Sequence, residues 1–155
     1  MEPPVVLTGG LATLFAVYWP FTPSYSDRRL SHRNTFDYSS NNGNFATGRE
    51  KAQFTLYFSK ASDTSIHLYN YSSDVERVAV ARGVGQISDI KDVTVFDYTS
   101  SSITLQESQI ACLENKLGNY ACVHVVDVKD ATREDDRDEV TLHSVTNPDG
   151  GTDFS

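Results

Sequence analysis

Gln53-Phe54-Thr55-Leu56-Tyr57-Phe58-Ser59-Lys60, then Ala61-Ser62-Asp63-Thr64, then Ser65-Ile66-His67-Leu68-Tyr69-Asn70, is the stretch whose reading decides the fold. Phe54, Leu56 and Phe58 fall on one side of an extended chain, and Thr55 and Tyr57 on the other. A period of two is the signature of a half-buried strand. The four residues from Ala61 are turn formers. The second run alternates again, so the two runs predict a β-hairpin.

Strand signals continue toward the C-terminus. Val75–Arg82 is a third candidate, closed by Gly83-Val84-Gly85, and the β-branched and aromatic run Val93–Tyr98 is a fourth. Ile87–Ile90 reads as a short helical turn and Thr99–Ser102 as a polar loop. Ile110–Glu114, Tyr120–Lys129 and Asp138–Val145 complete the set. Upstream, Asn42-Gly43 favours positive φ and predicts a tight hairpin turn between Asp37-Tyr38 and Phe45-Ala46-Thr47. Many short strands separated by turn signals, with no long amphipathic helix, predict a mainly β chain. The expected architecture is a single-domain antiparallel β-sandwich or small barrel spanning residues 36–146. Residues 1–35 read as an apolar segment and connector, and 147–155 as a flexible tail.

The last three strands permit a register calculation. If the turns joining them are symmetric, Cys112 faces Cys122, His124 faces His143 and Val125 faces Leu142. Ala121, Val123, Val125, Val140 and Leu142 then form an apolar face, with Cys112, Cys122, His124 and His143 on the other. Two cysteines and two histidines are the ligand set of a structural zinc site. Directly opposed cysteines also suit a cross-strand disulfide, and buried free thiols are the third reading. The CxxC spacing of most structural zinc sites is missing, and no metal is expected here.

At 155 residues the chain is long enough for one domain with a real core. Its 13 basic and 21 acidic residues give a net charge of −8, which argues against a grip on nucleic-acid phosphates. The acidity concentrates in Asp130–Glu139. That run predicts a hydrated surface loop, with a cation site as the functional alternative. Val5–Phe21 carries no charge, ends in Tyr18, Trp19 and Phe21, and is followed by Arg28, Arg29 and Arg33. As a helix of about 25 Å it falls slightly short of a ~30 Å hydrocarbon core. Gly9-Gly10 interrupts it and Pro20 limits it, so burial under the sheet competes with membrane contact. No basic residue precedes it, so a secretory signal fits poorly, and a cytoplasmic location is expected.

The sequence holds no Gly-x-Ser-x-Gly elbow, phosphate loop, HExxH or dinucleotide fingerprint. The better lead is a strip of tyrosines, Tyr57, Tyr69 and Tyr71, with His67, Asn70 and Lys60 near them. Tyrosines mixed with amides and hydroxyls on a sheet face can stack a sugar, a nucleoside or a partner protein. The expected ligand-binding residues are Asn41, Asn42, Lys60, Ser62, Asp63, His67 and Tyr69. The asparagines and serine would hydrogen-bond, Tyr69 stack and Lys60 supply charge. The expectation is a non-enzymatic ligand-binding or protein-interaction module, without a cofactor, for an unidentified small molecule or protein. The alternative is a metal-dependent hydrolase that uses the acidic-loop carboxylates with His67 or His143.

The stretches Phe36–Phe45 with Gly48, Phe54, Phe58–Asn70 and Asn119–Asp130, followed by Thr132-Arg133 and Asp135–Glu139, together resemble a small, uncharacterised bacterial domain. It occurs alone or as a C-terminal module beside Toll/interleukin-1 receptor effector domains. The likeness covers roughly residues 36–145, and Phe58 stands where that pattern has Trp. The resemblance implies an accessory sensing or interaction module in a defence or stress setting.

Overall fold

The computed structural model describes residues 30–131 and 137–155. Residues 5–21 and half of the acidic run, residues 132–136, therefore lie outside the described residues. The chain forms two antiparallel sheets. The first joins β1 (Leu30–Phe36), β9 (Glu139–Asn147), β8 (Tyr120–Lys129), β7 (Ile110–Asn115) and β5 (Val75–Val80), in that order. The second joins β2 (Asn44–Thr47), β3 (Phe54–Lys60), β4 (Ser65–Tyr69) and β6 (Ser102–Gln106). The sheets pack face to face as a β-sandwich. No described helix is long and apolar enough to cross a membrane.

The alternation of β3 and β4 builds the main core. Phe54, Leu56, Phe58, Ile66 and Leu68 are buried between the sheets against Val78, Leu113, Val123, Val125, Val140 and Leu142. Burying a side chain of this size contributes about 1.5–3 kcal/mol relative to leaving it in water. The expected register holds: Cys112 pairs with Cys122, His124 with His143 and Val125 with Leu142. A bulge between Val125 and Asp127 then shifts the ladder, so that Val128 meets Val140.

A second core covers the outer face of the five-stranded sheet. Ile87, Ile90, Val93 and Tyr98 pack from the β5–β6 connection onto Ala79, Ile110, Cys112, Cys122 and Val145. Phe154 closes it, fully buried, with its N–H on the Ile90 carbonyl at 2.8 Å. The Val93 N–H bonds the Thr152 carbonyl at 2.9 Å. The segment expected as a flexible tail is thus docked structure, held by one aromatic ring and two backbone bonds.

Three further expectations change. Residues 30–35, read as connector, belong to an edge strand, Leu30–Phe36, paired with β9 along its length. Val93–Tyr98 is not a strand; it begins with a 3-10 turn, because the Asp92 side chain accepts from the Thr94 N–H and hydroxyl. Asn41–Gly43 does not close a hairpin. It is a 3-10 turn with φ of 49°, 55° and 76°, and it carries the chain from β1 in one sheet to β2 in the other. Asp37 is not in a strand either, and its carboxylate accepts from the Ser39 N–H.

Lys60 ends β3 on the core side of its sheet, opposite Ile66. Its ammonium lies 3.1 Å from Asp130 Oδ1 and 3.1 Å from Asp138 Oδ1, which belong to the strand ends of the other sheet. Asp130 is fully buried. These ion pairs join the two sheets at one end of the sandwich and hold the Lys60 ammonium charged, with its pKa raised chiefly by the hydrogen bond to Asp130.

Candidate functional site

The outer face of the four-stranded sheet is assembled by register. Tyr57 pairs with Tyr69, Ser59 with His67, His67 with Thr104, Tyr69 with Ser102 and Asn44 with Tyr57. Thr55, Ser65 and Gln106 extend the same face along its strands. Every described strand residue on it is uncharged, in a chain with 34 charged side chains, 13 basic and 21 acidic. The Asp74 carboxylate reaches its margin, where it accepts from the N–H and hydroxyl of Thr55 at 2.9 and 2.8 Å.

Three tyrosines meet at the centre. Tyr69 leans along the sheet so that its hydroxyl lies 2.7 Å from Ser59 Oγ. Tyr57 packs beside it at 5.2 Å between ring centroids. Tyr71, just past the end of β4, stacks on Tyr69 at 4.8 Å and 28°, and meets the edge of Tyr57 at 5.9 Å. Tyr71 keeps 61% of its surface exposed, the one large aromatic among the described residues to do so. Next to the rings, His67 Nδ1 lies 2.9 Å from Thr104 Oγ1. The result is a fixed aromatic platform with hydroxyl and imidazole groups around it.

A shallow recess of about 250 Å³ adjoins the platform, lined among others by Ser39, Asn42, Tyr57, Ser59 and Lys60. Its floor is tight, since Gly43 passes so close to β3 that a Cβ there would lie 2.1 Å from the Phe58 carbonyl oxygen.

The residues proposed from sequence separate by role. His67 and Tyr69 are on the platform. Asn42 and Lys60 line the recess, although the Lys60 ammonium is engaged by Asp130 and Asp138. Asn41 holds its own turn, with its side-chain amide donating to the Asn44 carbonyl at 3.3 Å. Ser62 closes the β3–β4 hairpin through its N–H to the Ser65 carbonyl at 3.1 Å, and Asp63 is exposed at the tip. The sequence reading left out Ser59, Ser102 and Thr104. The alternation Ser102-Ile103-Thr104-Leu105-Gln106 was the available signal for the strand that carries the last two.

The four residues of the sequence-derived zinc set do share a sheet face, but they are differently engaged. Cys112 and Cys122 are fully buried in the second core with their sulfurs 3.5 Å apart, and burial pushes the Cys122 thiol pKa up. His143 Nε2 lies 2.8 Å from Ser31 Oγ, and His124 Nε2 lies 3.1 Å from the Ser108 carbonyl. Among the described residues no group of three or more potential metal ligands is assembled. The two histidines considered for hydrolysis, His67 and His143, lie on outer faces of different sheets.

Compared with known proteins, the chain matches no protein-family model, no curated protein and no solved structure.

Proposed function

We propose that this chain is a non-catalytic binding module whose contact face is the outer surface of the β2–β3–β4–β6 sheet. One observation carries this: a pre-stacked group of tyrosines lies on a sheet face whose described strand residues are all uncharged. A face left to water alone usually carries charged side chains. The opposite outer face differs, being either covered by the second core or lined with Arg33, His124 and His143. Aromatic rings fixed by their neighbours lose little side-chain entropy on binding, which suits them to recognition. The likeness to a domain found beside Toll/interleukin-1 receptor effectors adds an accessory role, in which the module senses a ligand or partner for another activity.

Amide NMR spectra of the full chain, titrated with neutral disaccharides, nucleosides and short peptides, test the reading. Shifts are expected to cluster at Tyr57, Ser59, His67, Tyr69, Tyr71, Ser102 and Thr104. Shifts confined to the five-stranded sheet, or none with any probe class, would overturn it.

A further inference from the structure

We infer that the ligand of this face is a neutral glycan, an inference that rests on the binding role proposed above and names its chemistry. A pyranose ring offers an apolar C–H face surrounded by hydroxyls and carries no charge. The platform offers the complement. Tyr71 presents an exposed ring face, Ser59, Ser102 and Thr104 supply hydroxyls, and His67 supplies a ring nitrogen that donates or accepts. Tyr71 is backed by Tyr69, and Tyr69 is tied by its hydroxyl to Ser59, so the stacking surface is set before the sugar arrives.

Charge complementarity decides against anionic competitors. A phosphate, a nucleotide or an acidic sugar calls for a free cation, and the described strand residues of the face have none. The nearby ammonium of Lys60 is already matched by Asp130 and Asp138. A protein partner also uses tyrosine anchors, but its contact surrounds them with further apolar area at the centre. Here the strand residues are hydroxyl, amide, imidazole and tyrosine side chains with Ala46, and the other exposed large apolar residues among those described, Val95 and Leu117, are outside these strands. The recess beside Tyr57 and Ser59 continues the platform toward Ser39 and Asn42. A ligand spanning both is a chain of sugars rather than a single ring.

Affinity electrophoresis of the full chain in native gels tests this, using soluble mixed-linkage glucan, galactomannan and arabinoxylan, with polygalacturonate as the anionic control. The chain should be retarded by at least one neutral polymer and not by polygalacturonate. Tyr71→Ala should weaken retardation about tenfold, or about 1.4 kcal/mol, with thermal stability unchanged because the ring is largely exposed. Tyr69→Phe, which removes only the hydroxyl that ties the platform to Ser59, should weaken it less. Retardation that survives Tyr71→Ala would show that the sugar binds elsewhere and would overturn the assignment. Equal retardation by polygalacturonate would overturn neutrality. No retardation by any neutral polymer would overturn the glycan inference. In that case NMR shifts clustered on the platform with nucleosides or peptides would leave the binding face standing, and their absence would remove both.

Discussion

His143 is half-buried opposite Arg33 on one side and His124 on the other. Burial first, then electrostatic repulsion from His124 and Arg33, lowers its pKa below the usual 6.5. The folded protein therefore resists protonating His143, while the unfolded chain takes the proton freely. The stability linked to this group is complete above pH 6.5 and is lost as pH falls from there through the lowered folded value. The Tm of the protein should drop between pH 7 and pH 5, and the drop should be smaller in His143→Gln. Three carboxylates move away from this window. Asp37, Asp92 and Asp97 are held below their ordinary pKa, each chiefly by the hydroxyl two residues on, at Ser39, Thr94 and Thr99. They titrate in more acid solution. Equal Tm losses in wild type and His143→Gln would contradict the assignment.

At the scale of elements, the turn at Asn41–Gly43 presses closely on β3. Gly43 has φ of +76°, and an added Cβ would lie 2.1 Å from the Phe58 carbonyl oxygen of β3. Gly83 has a similar φ of +82° but nothing within 4 Å. Gly83→Ala should therefore cost only the left-handed backbone strain, about 1–2 kcal/mol. Gly43→Ala should cost clearly more, because β3 must shift as well. Urea unfolding of the two variants checks the difference, and equal losses would mean that the turn does not press on β3. This turn also marks the limit of what local pattern reveals. Asn42-Gly43 announced positive φ, but not that the chain leaves one sheet for the other there. The hairpin from Gln53 and the pairing of β7, β8 and β9 were legible because alternation and short turns fix register locally. Even the bulge after Val125 left Val140 on the core side, since it moves β8 and not β9. The strand β1 was obscured by Arg33 and Asn34, polar residues that an edge strand accommodates. Val93–Tyr98 misled because Asp92 and Asp97 each draw a following N–H into a local turn, at Thr94 and Thr99. Of the site, the tyrosine strip was readable from spacing. The contribution of Thr104 was not, because it depends on β6 lying beside β4.

Across the whole molecule the two sheets are unequal. The five-stranded sheet carries cores on both faces, while the four-stranded sheet buries one face and leaves the other as the tyrosine platform. That asymmetry depends on the C-terminal segment, because Phe154 seals the second core over Cys112, Cys122 and Ile90. Sequence alone hides this, since a single phenylalanine after Asn147-Pro148-Asp149-Gly150-Gly151 has no periodicity to advertise it. Removing the ring leaves a cavity against fully buried neighbours, so Phe154→Ala should lose about 3–5 kcal/mol of stability. The two thiols give an independent measure. Both are fully buried and the Cys122 thiol pKa is raised by burial, so a disulfide reagent should react with neither in the native wild type. In Phe154→Ala the covering segment opens more often than the sandwich unfolds, and the thiols should react at urea concentrations well below the unfolding midpoint. The tyrosine platform is on the other sheet, so polysaccharide retardation of this variant should persist while its thiols become reactive. Wild-type protection in Phe154→Ala would mean that the C-terminal segment does not close the second core.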